Sequence, residues 1–346
     1  MRLTWVPERP GNWIFHCHFA SHIMPLDMGG HSQATFAHEA HPSDMPHQMA
    51  GLVVGVTVKP NGPQPALAPD PREMTLNIRS KPRVFGDKPG YAYVLGDSPD
   101  AADPQAMPVP GPLLLLQRGE PVAVNIVNHS HEAAAVHWHG IELESFPDGV
   151  PGWSGRDQSV LPAIAPGDSL TVRFTPPRAG TFMYHSHFNE FAQLGSGLVG
   201  PIVVFEPGTK FDASTDHVLL FSDDGPFSNI LAGPFSGLLL NGQKQPQPLI
   251  LEAGTANRLR LINITTDWGV QVELRDGEEK VMWRAVAKDG ADLSRPGDLQ
   301  PAVMAFAAGE IYDFEVPPMA TTRLKLVYRQ IGTEEPPLIE VPVIVR

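Results

Sequence analysis

Short apolar runs broken by Gly, Pro, Asn and Asp recur along the whole chain. Near the start, residues 1–6 and 12–19 read as strands, followed by a long loop and a strand at 51–58. Further strand-like runs fall at 74–78, 121–127, 135–141, 169–174, 181–185 and 198–205. The same style continues at 217–221, 258–264, 270–274, 311–316 and 324–328. No helical period is sustained, so the pattern predicts an all-β protein, most simply antiparallel sandwiches. Residues 59–71 (KPNGPQPALAPDP) are Pro-rich and polar and predict a semi-rigid linker.

The pattern also repeats. Residues 9–22 (RPGNWIFHCHFASH) align without gaps on 178–191 (RAGTFMYHSHFNEF). The histidines of each HxH match, Cys17 falls on Ser186, and His22 falls on Phe191. Further on, Gly51-Leu52-Val53 matches Gly197-Leu198-Val199. Both copies read as the closing hairpin of one kind of sandwich. Residues 212–346 end in a similar way but carry no HxH, and their only histidine is His217, which predicts a structural unit. The expected organisation is a partial sandwich at 1–58, the linker at 59–71, and complete sandwiches at 72–207 and 212–346. Met1 aligns with Leu170, so the first sandwich is expected to lack its front strands.

Composition narrows the function. Thirty-seven Pro and 32 Gly in 346 residues suit many strands joined by turns. A net charge of −13 argues against a nucleic-acid partner and against an anionic membrane surface. No apolar run approaches the roughly 18 residues of a membrane span, and no secretory leader pattern follows Met1. Cys17 is the only cysteine, so no intramolecular disulfide forms and the redox compartment stays open.

The candidate chemistry lies in the histidines. A strand sends alternate side chains to opposite faces, so His16 and His18 share one face while Cys17 takes the other. One thiolate, a histidine five residues on (His22) and a nearby methionine (Met24 or Met28) are the ligand types of a blue-copper site. Two more HxH pairs, His137/His139 and His185/His187, can each aim two imidazoles at one place. A Cys beside two His reads equally as core, but three HxH pairs resist that reading. Imidazoles alone would also suit zinc; the added Cys–His–Met set favours copper.

With these residues the sequence resembles the multicopper oxidases, the family of laccases and cuprous oxidases. His137-Trp-His-Gly, Asp148-Gly149-Val150, Gln158, Pro166-Gly167, Tyr184-His-Ser-His187 and Gly197-Leu198 look like the family's first copper domain. His16-Cys-His18, His22 and the following Met look like the close of its last copper domain, and 212–346 like its copper-free middle domain. The resemblance implies tandem cupredoxin-like Greek-key β-sandwiches, the first incomplete. It also implies Cys17, His22 and Met28 around a type 1 copper, with His16, His18, His139, His185 and His187 on paired type 3 coppers and His137 on type 2. Electrons from a small reductant, phenolic or metal ion, would then reduce O2 to water. Asp148 matches an acidic residue that helps deliver protons in the family; Asp-Gly is equally a turn dipeptide. A full-length parent would be periplasmic or secreted.

The sequence departs from the family in several places. The motif HPxHxHG, which completes both the type 1 site and the cluster, is absent. A second reading is therefore a catalytically incomplete copper-binding fragment or subunit, completed by the amino-terminal part of a longer, domain-permuted parent or in a homo-oligomer. A third is a copper nitrite reductase-like protein, which shares the sandwich but does not need three HxH pairs. The family's axial position holds Asp27, with Met28 one residue late and Met24 early. The long loop of the first copy carries His31, His38, His41, His47, Met45 and Met49, a cuprous-oxidase or copper-loading surface or simply a polar loop.

Overall fold

A computed structural model of the chain describes residues 4–23, 52–62, 70–156, 159–226, 237–318, 324–331 and 338–346. Met24, Asp27, Met28, Gln158 and the His/Met-rich loop lie outside them. The described residues are almost all strand, turn and loop, with cupredoxin-like sandwiches in tandem.

The first hairpin pairs β1 (Gly11–His16) with β2 (Val53–Val58), in register from Gly11↔Val58 to His16↔Val53. The next unit holds β3 (Arg72–Phe85), β4 (Lys88–Leu95), β5 (Leu114–Gln117), β6 (Val122–Asn128) and β7 (His137–His139). It continues through β8 (Gly155–Arg156), β9 (Ser159–Val160), β10 (Ser169–Phe174), β11 (Gly180–His185) and β12 (Val199–Phe205). One sheet runs β10-β6-β3-β4 and the other β5-β12-β11-β7. Between them pack Leu76, Tyr93, Trp138, Phe182, Tyr184 and Ile202, all essentially inaccessible. Each such side chain contributes about 1.5–3 kcal/mol relative to leaving it exposed. Among the described residues the first hairpin joins a sheet of the second unit: β1 continues onto β8 and β9, in the order β2-β1-β8-β9.

The strands from Asp216–Asp224 to Ile339–Val345 form two further sheets around Phe221, Trp283, Phe314 and Tyr328. This unit docks on β11. Phe182 and Tyr184 of β11 face their own core, while Met183 packs with Leu220, Ile262 and Ile311. Burial on both faces explains why Gly-Thr-Phe-Met-Tyr-His shows no polar alternation. Thr181 donates to Asp313 Oδ2 (2.7 Å) and accepts from Arg260 Nη1 (2.7 Å), which ties the two units together through buried polar groups.

Three strand expectations need correction. Residues 4–6 are not strand: Trp5 and Val6 stand exposed, with no strand beside them among the described residues. β1 ends at His16 rather than residue 19, because the chain turns into a single helical turn, α1 (Ala20–Ile23). β7 spans three residues, ended by Gly140 at φ +85°, a conformation that favours glycine.

Candidate metal centre

Three strand ends deliver six imidazoles to one place. β7 and β11 are antiparallel neighbours with His137 opposite His185 and Met183 opposite His139. His137 and His139 share one face of β7, and the opposite face buries Trp138 in the core. His185 closes β11, and His187 lies two residues beyond it. From the first hairpin, β1 ends in His16, and His18 follows. The repeat is structural as well as sequential: Cys17 N donates to Leu52 O (3.0 Å) as Ser186 N donates to Leu198 O (3.1 Å).

Ring centres sort the six histidines. His18 lies 4.9 Å from His139 and 5.7 Å from His185, with His139 and His185 5.6 Å apart. Within this trio one nitrogen of each ring lies within 4.8 Å of the others. His16 pairs with His187 at 5.4 Å, and His137 sits 5.3 Å from both His185 and His187.

The nitrogens facing away from the centre are anchored. The Nδ1 of His16 donates to Cys17 O (2.9 Å), that of His185 to Ser186 O (3.0 Å), and that of His137 to Asp148 O (2.6 Å). Their Nε2 atoms are thereby left as acceptors. His185 Nε2 and His18 Nδ1 are buried with no hydrogen-bond partner. Unsatisfied buried polar atoms are costly, and a shared metal ion is the simplest group that would satisfy several at once.

The electrostatics favour neutral rings. Burial brings His18 down to about 4, and it lowers His139 and His185 well below the ordinary imidazole range. Burial also lowers His16 and His137, with neighbouring imidazoles adding to the effect. A neutral imidazole is the form that ligates metal. His187 goes the other way. Burial pulls it down, but the Glu190 carboxylate, 2.8 Å from its Nδ1, raises it overall. Burial opposes charge on Glu190 too, yet the facing imidazoles bring it down to about 2.

Cys17 Sγ lies 3.2 Å from His22 Nδ1, so thiol and imidazole meet on the far side of the strand from the cluster. Asp148 has features of both its readings. Its backbone shapes the turn before Gly149 (φ +96°), and its Oδ2 lies 3.7 Å from His137 Nδ1, with burial raising its carboxyl.

Two residues at the centre were not among the sequence candidates. Glu190 stands three residues after His187 on α2 (Glu190–Gln193), a spacing that could have flagged it. Gly309, from the unit without HxH pairs, abuts the His18 ring so closely that a Cβ there would come within 2.6 Å of it. No local signal marks that contact. Histidines 129, 131 and 217 bond elsewhere, to Asn77, Ser80 and Asn257.

Residues 106–209 match a family model described as multicopper oxidase. Laccase-2 of Botryotinia fuckeliana is 32% identical over 188 residues, covering 46% of this chain and 31% of that protein. A copper resistance protein A homolog of Pseudomonas syringae pv. tomato is 38% identical over 117 residues, 33% of this chain and 18% of its own length. The chain thus spans under a third of either relative. Among solved structures, the blue copper oxidase from Nitrosomonas europaea has the same fold. Its TM-score is 0.62 at 23% identity, over 80% of this chain and 86% of that one.

Proposed function

Because this chain belongs to the multicopper oxidase family, we propose that its six converging imidazoles hold copper for the reduction of O2 to water by electrons from a small reductant. The observation that carries the reading is the meeting of His18, His139 and His185 around unsatisfied buried nitrogens. In this reading those three hold one copper of the type 3 pair, His16 and His187 contribute to the second, and His137 serves the type 2 position. Cys17 and His22 hold the type 1 copper. Bound copper supplies reversible one-electron chemistry. The chain's own residues set the geometry. Backbone carbonyls of Cys17, Ser186 and Asp148 fix three rings, and Asp148 keeps a carboxyl able to carry a proton beside His137. The strand from Cys17 to its flanking histidines gives electrons a short covalent route. The reading carries with it a periplasmic or secreted location, and phenols or metal ions as reductants.

A second reading is favoured by one observation. The sequence has no HPxHxHG motif, so the family motifs it does carry supply six cluster histidines and one type 1 histidine. The protein would then bind copper without efficient turnover unless further ligands come from outside these residues. Copper counted per chain, with O2 consumption on a chromogenic phenol, tests both. Four-electron turnover supports the oxidase. Copper binding without O2 uptake supports the incomplete site, and absence of copper binding overturns both readings. Among the described residues no helix is long and apolar enough to cross a membrane.

A further inference from the structure

Three imidazoles of this centre, His16, His137 and His185, are oriented by a backbone carbonyl that accepts from Nδ1–H and that no substitution removes. His187 differs. Glu190 Oε1 lies 2.8 Å from its Nδ1, with the His187 side chain buried at 2% of its accessible surface and that of Glu190 mostly covered at 12%. We propose that Glu190 is a positioning residue for His187. Its carboxylate accepts the Nδ1 proton, fixing the tautomer and the ring so that Nε2 faces His16 and His137 across the centre.

The local fold holds Glu190 for this task. Asn189 adopts φ +50°, in the left-handed region, and turns the chain sharply after His187 into α2. The turn is braced from below. Ser186 Oγ donates to Gln193 Oε1 (2.7 Å) in the buried interior, and Gln193 Nε2 donates to Ala133 O (2.7 Å) at its edge. Ser186 and Gln193 are wholly inaccessible, so the segment carrying Glu190 is pinned at both ends. In the repeat the position of Glu190 is taken by Ser21, which carries no carboxylate. Carboxylates bonded to ligand histidines raise ligand basicity and fix ring orientation, and losing one costs about 10–100-fold in metal affinity.

The inference rests on the copper reading, and the test separates the two. The full 346-residue chain and its Glu190→Ala and Glu190→Gln variants are labelled with 15N-histidine, and the tautomer of His187 is read by NMR without metal. Cu(II) affinity is then measured by chelator competition. Alanine offers no acceptor; glutamine still offers an oxygen to Nδ1–H. The expected result is an Nδ1-protonated His187 in the wild type that loses this preference in Glu190→Ala. Cu(II) binding should weaken about 10–100-fold in that variant and largely recover in Glu190→Gln. If Glu190→Ala keeps both the tautomer and the affinity, the inference is overturned. It is equally overturned if Glu190→Gln proves as impaired as Glu190→Ala, since an acceptor is then not what His187 requires. If the wild type binds no Cu(II) while the tautomer still follows residue 190, positioning stands and the copper reading fails.

Discussion

The two copies of the repeated hairpin sit in opposite surroundings. β11 is buried along its whole length, between its own core and the next unit. β1 is half-exposed, with Phe15 at 67% and its cross-strand neighbour Val54 at 57% accessible. The position after the first HxH histidine follows this difference. Ser186 spends its hydroxyl on Gln193 in a closed interior, whereas Cys17, partly accessible, presents its thiol to His22. A common scaffold therefore delivers the same pair of imidazoles twice, and the neighbours decide what the residue between them can do. The glycine that opens each hairpin also differs in what it touches. A Cβ on Gly11 would come 2.4 Å from Ser145 Cβ, and one on Gly180 would come 2.1 Å from Gly290 O. The first copy is thus fitted to the second unit, and the second copy to the third.

The sharpest way to break the comparison is to exchange the middle residues. Cys17→Ser should abolish any thiolate-to-copper absorption band outright, while Ser186→Cys should create none, because Phe191 stands where His22 would be needed. Optical spectra of the copper-loaded variants decide this. A band arising from Ser186→Cys alone would show that surroundings do not set the role.

The glycines come next. Gly180→Ala drives a methyl into a backbone carbonyl that cannot swing aside, and should cost more than about 3 kcal/mol in denaturant unfolding. Gly11→Ala meets a serine side chain first and should cost less, with hydrogen exchange rising in β1 and β2 while β11 stays protected. Equal losses at the two sites would mean the hairpins are equally anchored. Gly309→Ala should act locally, pushing the His18 ring and lowering copper per chain with little change in stability.

A smaller effect is expected at the brace. Ser186→Ala leaves Gln193 Oε1 buried without its donor and should cost about 1–3 kcal/mol, measured by urea unfolding; no such penalty is expected for Cys17→Ala. The pH response of the metal-free chain is spread over the whole centre. His18, held down to about 4 by burial, binds fewer protons folded than unfolded below its ordinary value of 6.5. Its contribution to stability is therefore full above 6.5 and lost as pH falls toward 4. His16, His137, His139 and His185 act with the same sign. His187 opposes them: being raised, its contribution is full in acid and lost as pH climbs through its raised value. The lowered groups outnumber the raised one, so the metal-free chain should lose stability as pH falls from neutrality toward 4. Unfolding curves in which Glu190→Gln loses more of this stability than wild type would fit His187 as the opposing group.

Much of the architecture and the chemistry was legible in the residues themselves. Alternation of apolar and polar positions is a short-range property of a strand, so most strands, the HxH pairs and the repeat could be read directly. Ligand chemistry is local too: a thiol, an imidazole five residues on and paired imidazoles make copper the expected metal before any fold is known. Residues 4–6 differ from their expected strand because an apolar run is strand only when another strand lies beside it, and among the described residues none does. What tertiary structure alone decided is which imidazoles meet. The trio of His18, His139 and His185 depends on the β7–β11 register and on how the first hairpin leans against the second unit. Gly309 reaches His18 only because a third unit, far along the chain, docks at the same seam. Glu190 faces His187 because a left-handed Asn189 turns the chain back toward the centre. These juxtapositions come from packing between segments distant in sequence, and side-chain periodicity carries no information about them.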